Sequence, residues 1–208
     1  AEALGDLPRH YVQAVGSGTG AIAAWEMSQR LAATGRFANA SVRLHLVQNA
    51  PFTPMNDAWN RKERALTVGG EAEAKLSIAQ LHSPVLSNRN PPYGICGGVY
   101  DALTASGGLT WAVSSAQARA AGRLFEDLEG CDLDPAAEVA LAGLQQACRQ
   151  GSVGRGETGL RNLTGGGARR LAGEGRHLVV QPDIEFASPQ VSDGDIARAL
   201  KTDKGARQ

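Results

Sequence analysis

Two glycine-rich segments carry the residue types from which this chain could build a site. Gly16-Ser17-Gly18-Thr19-Gly20 follows the strand-like run YVQAV, residues 11–15, and passes into AIAAWEMSQRLAATG, so it reads as a turn between a strand and a helix. Unpaired backbone N–H groups and the positive end of the helix dipole converge at such a point, which makes it an anion site. Glycines let the backbone approach a phosphate closely, while Ser17 and Thr19 add hydroxyl donors that a plain connection does not need. Two familiar phosphate loops do not fit. A Walker loop needs GK[ST], and no lysine is present here; a dinucleotide fold wants GxGxxG and an acidic residue about 20 positions further on. The second strand ends instead in Val47-Gln48-Asn49.

The second segment is Asn162-Leu163-Thr164-Gly165-Gly166-Gly167. A hydroxyl followed by three glycines suggests a strand end that presents Thr164 in a crevice with backbone packed close around it. Taken alone, the pattern suits a plain glycine loop equally well.

The elements that must position these segments alternate between strand and helix. Ala24, Met27 and Leu31 recur at helical spacing after the first glycine loop, Ile22 and Trp25 broaden the apolar face, and Gly35 ends the helix. A buried strand follows at Val42–Val47, and strand, helix, strand is the unit of a parallel sheet. The segment 49–60 is expected to lead into a helix continuing through RKERAL, and SNRNPPYGICGG, residues 87–98, is a loop dense in turn formers. Leu109–Val113 reads as a short strand. Ser114 and Gln117 then form a capping-box pattern ahead of a helix with apolar positions Ala121, Leu124, Phe125 and Leu128, closed by Gly130. A further helix has Asp134 as cap, Pro135 in its first turn, and Ala137, Leu141, Leu144 and Cys148 as its buried face. A last strand is expected at His177–Val180. From Pro182 the sequence is polar and aperiodic apart from a helical hint at Asp195–Leu200, so residues 182–208 read as a mobile tail after a single unit at 1–181. The whole is an α/β chain, a parallel sheet flanked by helices.

Composition narrows the partners. Lys and Arg number 21 against 21 Asp and Glu, which removes the basic footprint of a nucleic-acid binder. No stretch approaches the length of a membrane helix, and the N-terminus has no signal-peptide pattern. Three scattered cysteines, Cys96, Cys131 and Cys148, supply neither a disulfide framework nor a metal site and fit a reducing, cytoplasmic setting. His45 and His82 read as core or surface histidines, and Trp25 and Trp59 as packing residues.

The blocks YVQAVGSGTGAIAAWE, LHLVQNAPFTPMNDAWN, SNRNPPYGICGGVYDALT, LFEDLEGCDLDPAAEVALAGL and NLTGGG, in that order, resemble the C-terminal portion of the cysteate synthase family. Those enzymes are relatives of threonine synthase in the tryptophan-synthase-β class of pyridoxal-phosphate enzymes. The resemblance spans roughly residues 8–181. It implies the large-domain portion of a fold type II pyridoxal 5'-phosphate enzyme, and the reaction of O-phospho-L-serine with sulfite to give L-cysteate and phosphate. Carried over, Gly16, Ser17, Gly18, Thr19 and Gly20 hold the cofactor phosphate and Thr164 faces the pyridine nitrogen. A neutral hydroxyl there leaves the ring a weaker electron sink than an aspartate would, which suits a reaction with a good leaving group. Glu129 is a candidate supporting residue behind the cofactor. Asn88 and Arg89 are candidates for an anionic group of the phosphorylated amino-acid substrate, since Arg suits phosphate and sulfonate.

In this class the Schiff-base lysine lies in the N-terminal half, and none of Lys62, Lys75, Lys201 and Lys204 has its sequence context. The chain is therefore expected to be incomplete as an enzyme, either a subunit whose partner chain carries the N-terminal half and the lysine or a fragment of a longer chain. Threonine-synthase chemistry on O-phosphohomoserine is one alternative. A non-catalytic protein that keeps the phosphate pocket is another.

Overall fold

The computed structural model describes residues 1–37, 42–175, 180–187 and 190–206. The chain divides into two compact units, Ala1–Arg170 and Leu171–Gln208.

The first unit is built on a parallel sheet. Its strands are β1 (His10–Ala14), β2 (Arg43–Ala50), β3 (Leu109–Ser114) and β4 (Gly159–Arg161), in spatial order β3-β2-β1-β4. Tyr11 pairs with Leu44 and Leu160, and Val47 with Trp111. Leu44, Leu46 and Val47 in β2 are completely or almost completely buried, as expected for a central strand covered on both faces.

Because side chains alternate along a strand, the sheet faces two cores. Tyr11, Leu44 and Leu46 point toward helices α1 (Thr19–Ala33), α2 (Pro54–Asn60) and α4 (Val99–Ser106). Val12, Val47, Trp111 and Val113 point toward α5 (Ser115–Glu129) and α6 (Pro135–Arg149). The short helix α3 (Glu71–Ala79) belongs to a satellite cluster with Phe52, Ala74 and Leu81. Helix α6 lies close on β2 because Gly143 has no side chain where it would strike Val47.

Several expectations hold. The capping box is formed, with Gln117 N–H donating to Ser114 Oγ at 3.2 Å and Ser114 N–H donating to Gln117 Oε1 at 2.8 Å. Helix α6 begins with Pro135 in its first turn after Asp134.

Others differ. Helix α2 stops at Asn60 instead of continuing through RKERAL, because the charged run offers no apolar face and Lys62 turns into the left-handed region. Leu124 and Leu128 in α5 are 47% and 72% exposed, and Cys148 is exposed. Helix α5 buries Ala121 as expected, with the small residues Ala118 and Gly122 beside it. Met27 of α1 is likewise exposed.

In the chain's C-terminal part, α7 (Ala168–Gly173) crosses the boundary between the units, and α8 (Asp193–Ala206) extends well beyond the helical hint. A reciprocal cap starts α8: Asp195 N–H donates to Ser192 Oγ and Ser192 N–H to Asp195 Oδ2. Residues 177–179 of the expected last strand lie outside the described residues. Among the described residues no helix is long and apolar enough to cross a membrane.

Candidate functional site

The glycine loop lies at the C-terminal end of β1. β1 ends at Ala14, Val15 N–H still donates to Val47 O at 2.9 Å, and the chain then enters the glycine loop before α1 begins at Thr19. Gly18 is the N-cap of α1 with φ of 79°, a left-handed conformation that favours glycine. Among the described residues no acceptor takes the N–H of Gly16, Ser17 or Gly18, while Ser17 Oγ and Thr19 Oγ1 lie 3.0 Å apart. The loop thus presents unbonded donors and two hydroxyls at the start of a 15-residue helix.

Its shape is set from outside. A Cβ at Gly16 would lie 3.1 Å from the carbonyl carbon and oxygen of Leu86, and one at Gly18 would lie 2.5 Å from Val99 Cγ2. The stretch from Leu86 to Val99 therefore rests on the glycine loop at both of its ends. Asn88 and Arg89 sit between those ends: Asn88 Oδ1 accepts from Asn90 N–H at 2.9 Å, and Arg89 is exposed. Arg89 also borders a concavity of about 700 Å³ with Arg64, Leu66, Asn90, Pro91 and Ile95 among its walls. Arg64 fixes one wall of it, donating to Gly94 O at 3.0 Å and pairing with Asp101.

Thr164 follows β4. Its pairing with β1 ends at Arg161 opposite Val12, just beyond which Asn162 N–H donates to Val12 O at 3.0 Å. Thr164 is exposed. The three glycines behind it allow close backbone packing: Asp134 N–H donates to Gly165 O at 3.0 Å and Gly167 N–H to Asp132 O at 2.8 Å. Asn162 Nδ2 reaches Tyr11 Oη at 3.4 Å, and Tyr11 Oη donates to Gln13 Oε1 at 3.1 Å, which ties this strand end to the floor beneath α1. Burial raises the Tyr11 phenol above its ordinary value, with the Asn162 bond pulling the other way.

Glu129 is exposed as the last residue of α5, and its carboxylate acts electrostatically on Arg161. Burial lowers the Arg161 pKa and the Glu129 carboxylate opposes that shift, while the guanidinium lies 5.3 Å from the Phe125 ring centroid. The carboxylate thus acts on β4, the strand that leads to Thr164.

Curated relatives match this arrangement in sequence. A cysteate synthase of Methanospirillum hungatei is 51% identical over 182 residues, covering 88% of this chain and 43% of the relative. Another, from Methanosphaerula palustris, is 51% identical over 196 residues, covering 94% and 46%. The chain matches the C-terminal portion of cysteate synthases. It spans less than half the length of those curated relatives. No family model matches it. Two solved structures share the fold: a fungal L-serine ammonia-lyase from Rhizomucor miehei and a threonine deaminase from T.th. Each has a TM-score of 0.50 over 80% of this chain, at 19% and 16% identity, covering 47% and 52% of the solved chains. The parallel, helix-flanked architecture is that of the fold type II enzymes, as the cysteate synthase resemblance implied.

Of the lysines, Lys62 occupies the turn after α2, and Lys75 in α3 pairs with Glu71 at 2.9 Å. Sequence reasoning missed the buried polar residues Gln48, Asn49 and Ser83 and the half-buried Glu138, and left His82 without a role. Their one visible signal was the polar pair Gln48-Asn49 at the end of an otherwise apolar strand. Gln48 Oε1 accepts from Asn56 N–H at 2.9 Å and so fixes the start of α2.

Proposed function

We propose that this chain is the C-terminal part of a pyridoxal-phosphate-dependent β-replacement enzyme of the cysteate synthase kind, converting O-phospho-L-serine and sulfite to L-cysteate and phosphate. The carrying observation is a glycine loop with unbonded N–H groups at the carboxyl end of β1, shaped by the two ends of the Leu86–Val99 stretch. Ligands of open parallel sheets bind at the carboxyl ends of the strands. The relatives' name supports the choice of reaction.

The residues fit the cofactor. The N–H groups of Gly16, Ser17 and Gly18 and the hydroxyls of Ser17 and Thr19 bind its phosphate at the positive end of α1. Thr164 Oγ1 orients the ring through its nitrogen. Bound there, pyridoxal 5'-phosphate supplies the electron sink for loss of the substrate's phosphate. Arg89, aided by Asn88, receives an anionic group of the substrate, where a guanidinium offers paired donors. Glu129 supports Thr164 at one remove, through Arg161 in β4. The lysine that carries the cofactor lies in the part equivalent to the relatives' first half, whether on the same longer chain or on a partner polypeptide. The three free cysteines suit work in a reducing cytoplasm.

The test is co-expression of this chain with the N-terminal half of the M. hungatei cysteate synthase, followed by assay of phosphate release. Sulfite-dependent release from O-phospho-L-serine by the pair, and none by either part, is expected. Activity confined to O-phosphohomoserine would replace the reading with threonine-synthase chemistry. Activity of this chain alone would overturn that placement of the lysine. A stable complex that binds the cofactor without turning over either substrate would favour a binding role. In the active pair, Thr164→Ala is expected to weaken cofactor binding and shift its absorption spectrum; an unchanged spectrum and affinity would remove Thr164 from the site.

A further inference from the structure

Residues 80–86 belong to no part of the glycine loop, yet they fix the surface on which it rests. Asn49 is 1% exposed at the end of β2. Its Nδ2 donates to Ala50 O at 3.2 Å and Val113 O at 3.1 Å, and its Oδ1 accepts from the backbone N–H of His82 at 2.9 Å and of Ser83 at 3.2 Å. Ser115 Oγ also accepts from His82 N–H at 3.1 Å and donates to Gln80 O at 3.3 Å. The His82 ring is held at its other end, Nε2 donating to the Glu138 carboxylate, where the two side chains are only 14% and 15% exposed. Glu138 fits there because Gly122 of α5 has no side chain in the space the carboxylate fills. Ser83 O then accepts Leu86 N–H at 3.1 Å, and the Leu86 carbonyl is the group that would meet a Cβ at Gly16.

We infer that Asn49, His82 and Glu138 form a brace that positions the phosphate loop, acting through Leu86 on Gly16. The inference rests on the reading of residues 16–20 as a phosphate site. A cradle of backbone N–H groups binds an anion well only when those groups are held in place before it arrives. Residues 16–18 have little internal bonding to hold them: Ser17 Oγ lies 3.0 Å from Thr19 Oγ1 and accepts from Thr19 N–H at 3.4 Å, and Leu86 and Val99 supply the rest of the shape. Apolar packing alone would let the 82–86 segment slide. Directional bonds from β2, α5 and α6 to one residue, His82, fix its register against three elements at once.

The test uses this chain, titrated with pyridoxal 5'-phosphate and with inorganic phosphate, together with backbone amide NMR of the unliganded protein. Glu138→Ala is expected to weaken both ligands roughly tenfold and to move the amide resonances of Gly16 and Gly18. Glu138→Gln keeps an acceptor for His82 Nε2–H and is expected to restore most of the affinity, which a role for the charge alone would not allow. Losses from Glu138→Ala and Gly16→Ala should be less than additive, since both act on the Leu86 contact. Full additivity, or unmoved Gly16 and Gly18 resonances, would overturn the brace. Should Glu138→Ala fail to fold, His82→Gln serves in its place, because it keeps the backbone bonds to Asn49 and removes only the ring. If the wild-type chain binds neither ligand, the phosphate reading fails, and the resonances of Gly16 and Gly18 still decide the brace.

Discussion

Gly18→Ala is expected to abolish phosphate binding and to lower the stability of the chain by roughly 2–5 kcal/mol. Two costs combine at this position. A residue with a Cβ resists the left-handed conformation that Gly18 adopts, at about 1–2 kcal/mol. The new methyl also lands 2.5 Å from Val99 Cγ2, and overfilling a packed contact costs about 1–3 kcal/mol. Val99 begins α4, so relief requires either α4 to retreat or the glycine loop to rise off it. Raising the loop scatters the N–H groups of residues 16–18 away from a common centre. Gly20→Ala is the control. Its Cβ would meet the Gln13 amide nitrogen at 2.7 Å, but that is the end of a flexible side chain and can swing aside. Urea midpoints of the two variants should therefore separate, with Gly20→Ala nearer wild type. Equal, small effects at both positions would mean that the loop geometry does not depend on the α4 contact.

What the sequence reveals follows from how local the physics is. β2 could be read because six consecutive residues are buried and the run is continuously apolar apart from His45 and its polar end. The starts of α5 and α6 could be read because capping residues and a first-turn proline act within four residues of themselves. Helix α4 escapes such a reading although Val99, Ala102, Leu103 and Ser106 are buried at helical spacing, since the preceding glycines extend the loop pattern to its first residue. The glycine loop and the strand-end threonine were visible as types and spacings. The place of the strand-end threonine depends on β4 pairing with β1 across almost the whole first unit, which no local pattern encodes. The brace is harder still, because Asn49, His82 and Glu138 come from three separated segments and each alone resembles an ordinary polar residue.

Acid is expected to destabilise the first unit well before its carboxylates titrate, through a polar chain at the opposite edge of the sheet. Trp111 Nε1–H donates to His45 Nδ1 at 3.2 Å, His45 Nε2 lies 2.9 Å from His10 Nδ1, and His10 Nε2 lies 3.0 Å from Glu157 Oε2. An indole N–H can only donate, so His45 must accept at Nδ1 and carry its proton on Nε2, and the same logic passes to His10 and ends on the carboxylate. Protonating His45 at Nδ1 would set one N–H against another inside the α5/α6 core. Burial, then the neighbouring His10 and Arg43 charges, hold His45 down at about 4 against an ordinary 6.5. The unfolded chain therefore takes up a proton as pH falls below 6.5, while the folded chain does not until about 4. Stability is full above pH 6.5 and falls progressively toward pH 4, by up to about 3 kcal/mol from this group. Glu157, held below its usual range first by Gly154 N–H and then by His10, adds a loss of the same sign at lower pH. Urea midpoints measured from pH 7 to about 4.5 should decline for the wild type. His45→Phe should be less stable at pH 7, because Trp111 loses its acceptor, yet show a shallower decline. A variant whose midpoint falls as steeply as the wild type's would remove His45 from the acid response.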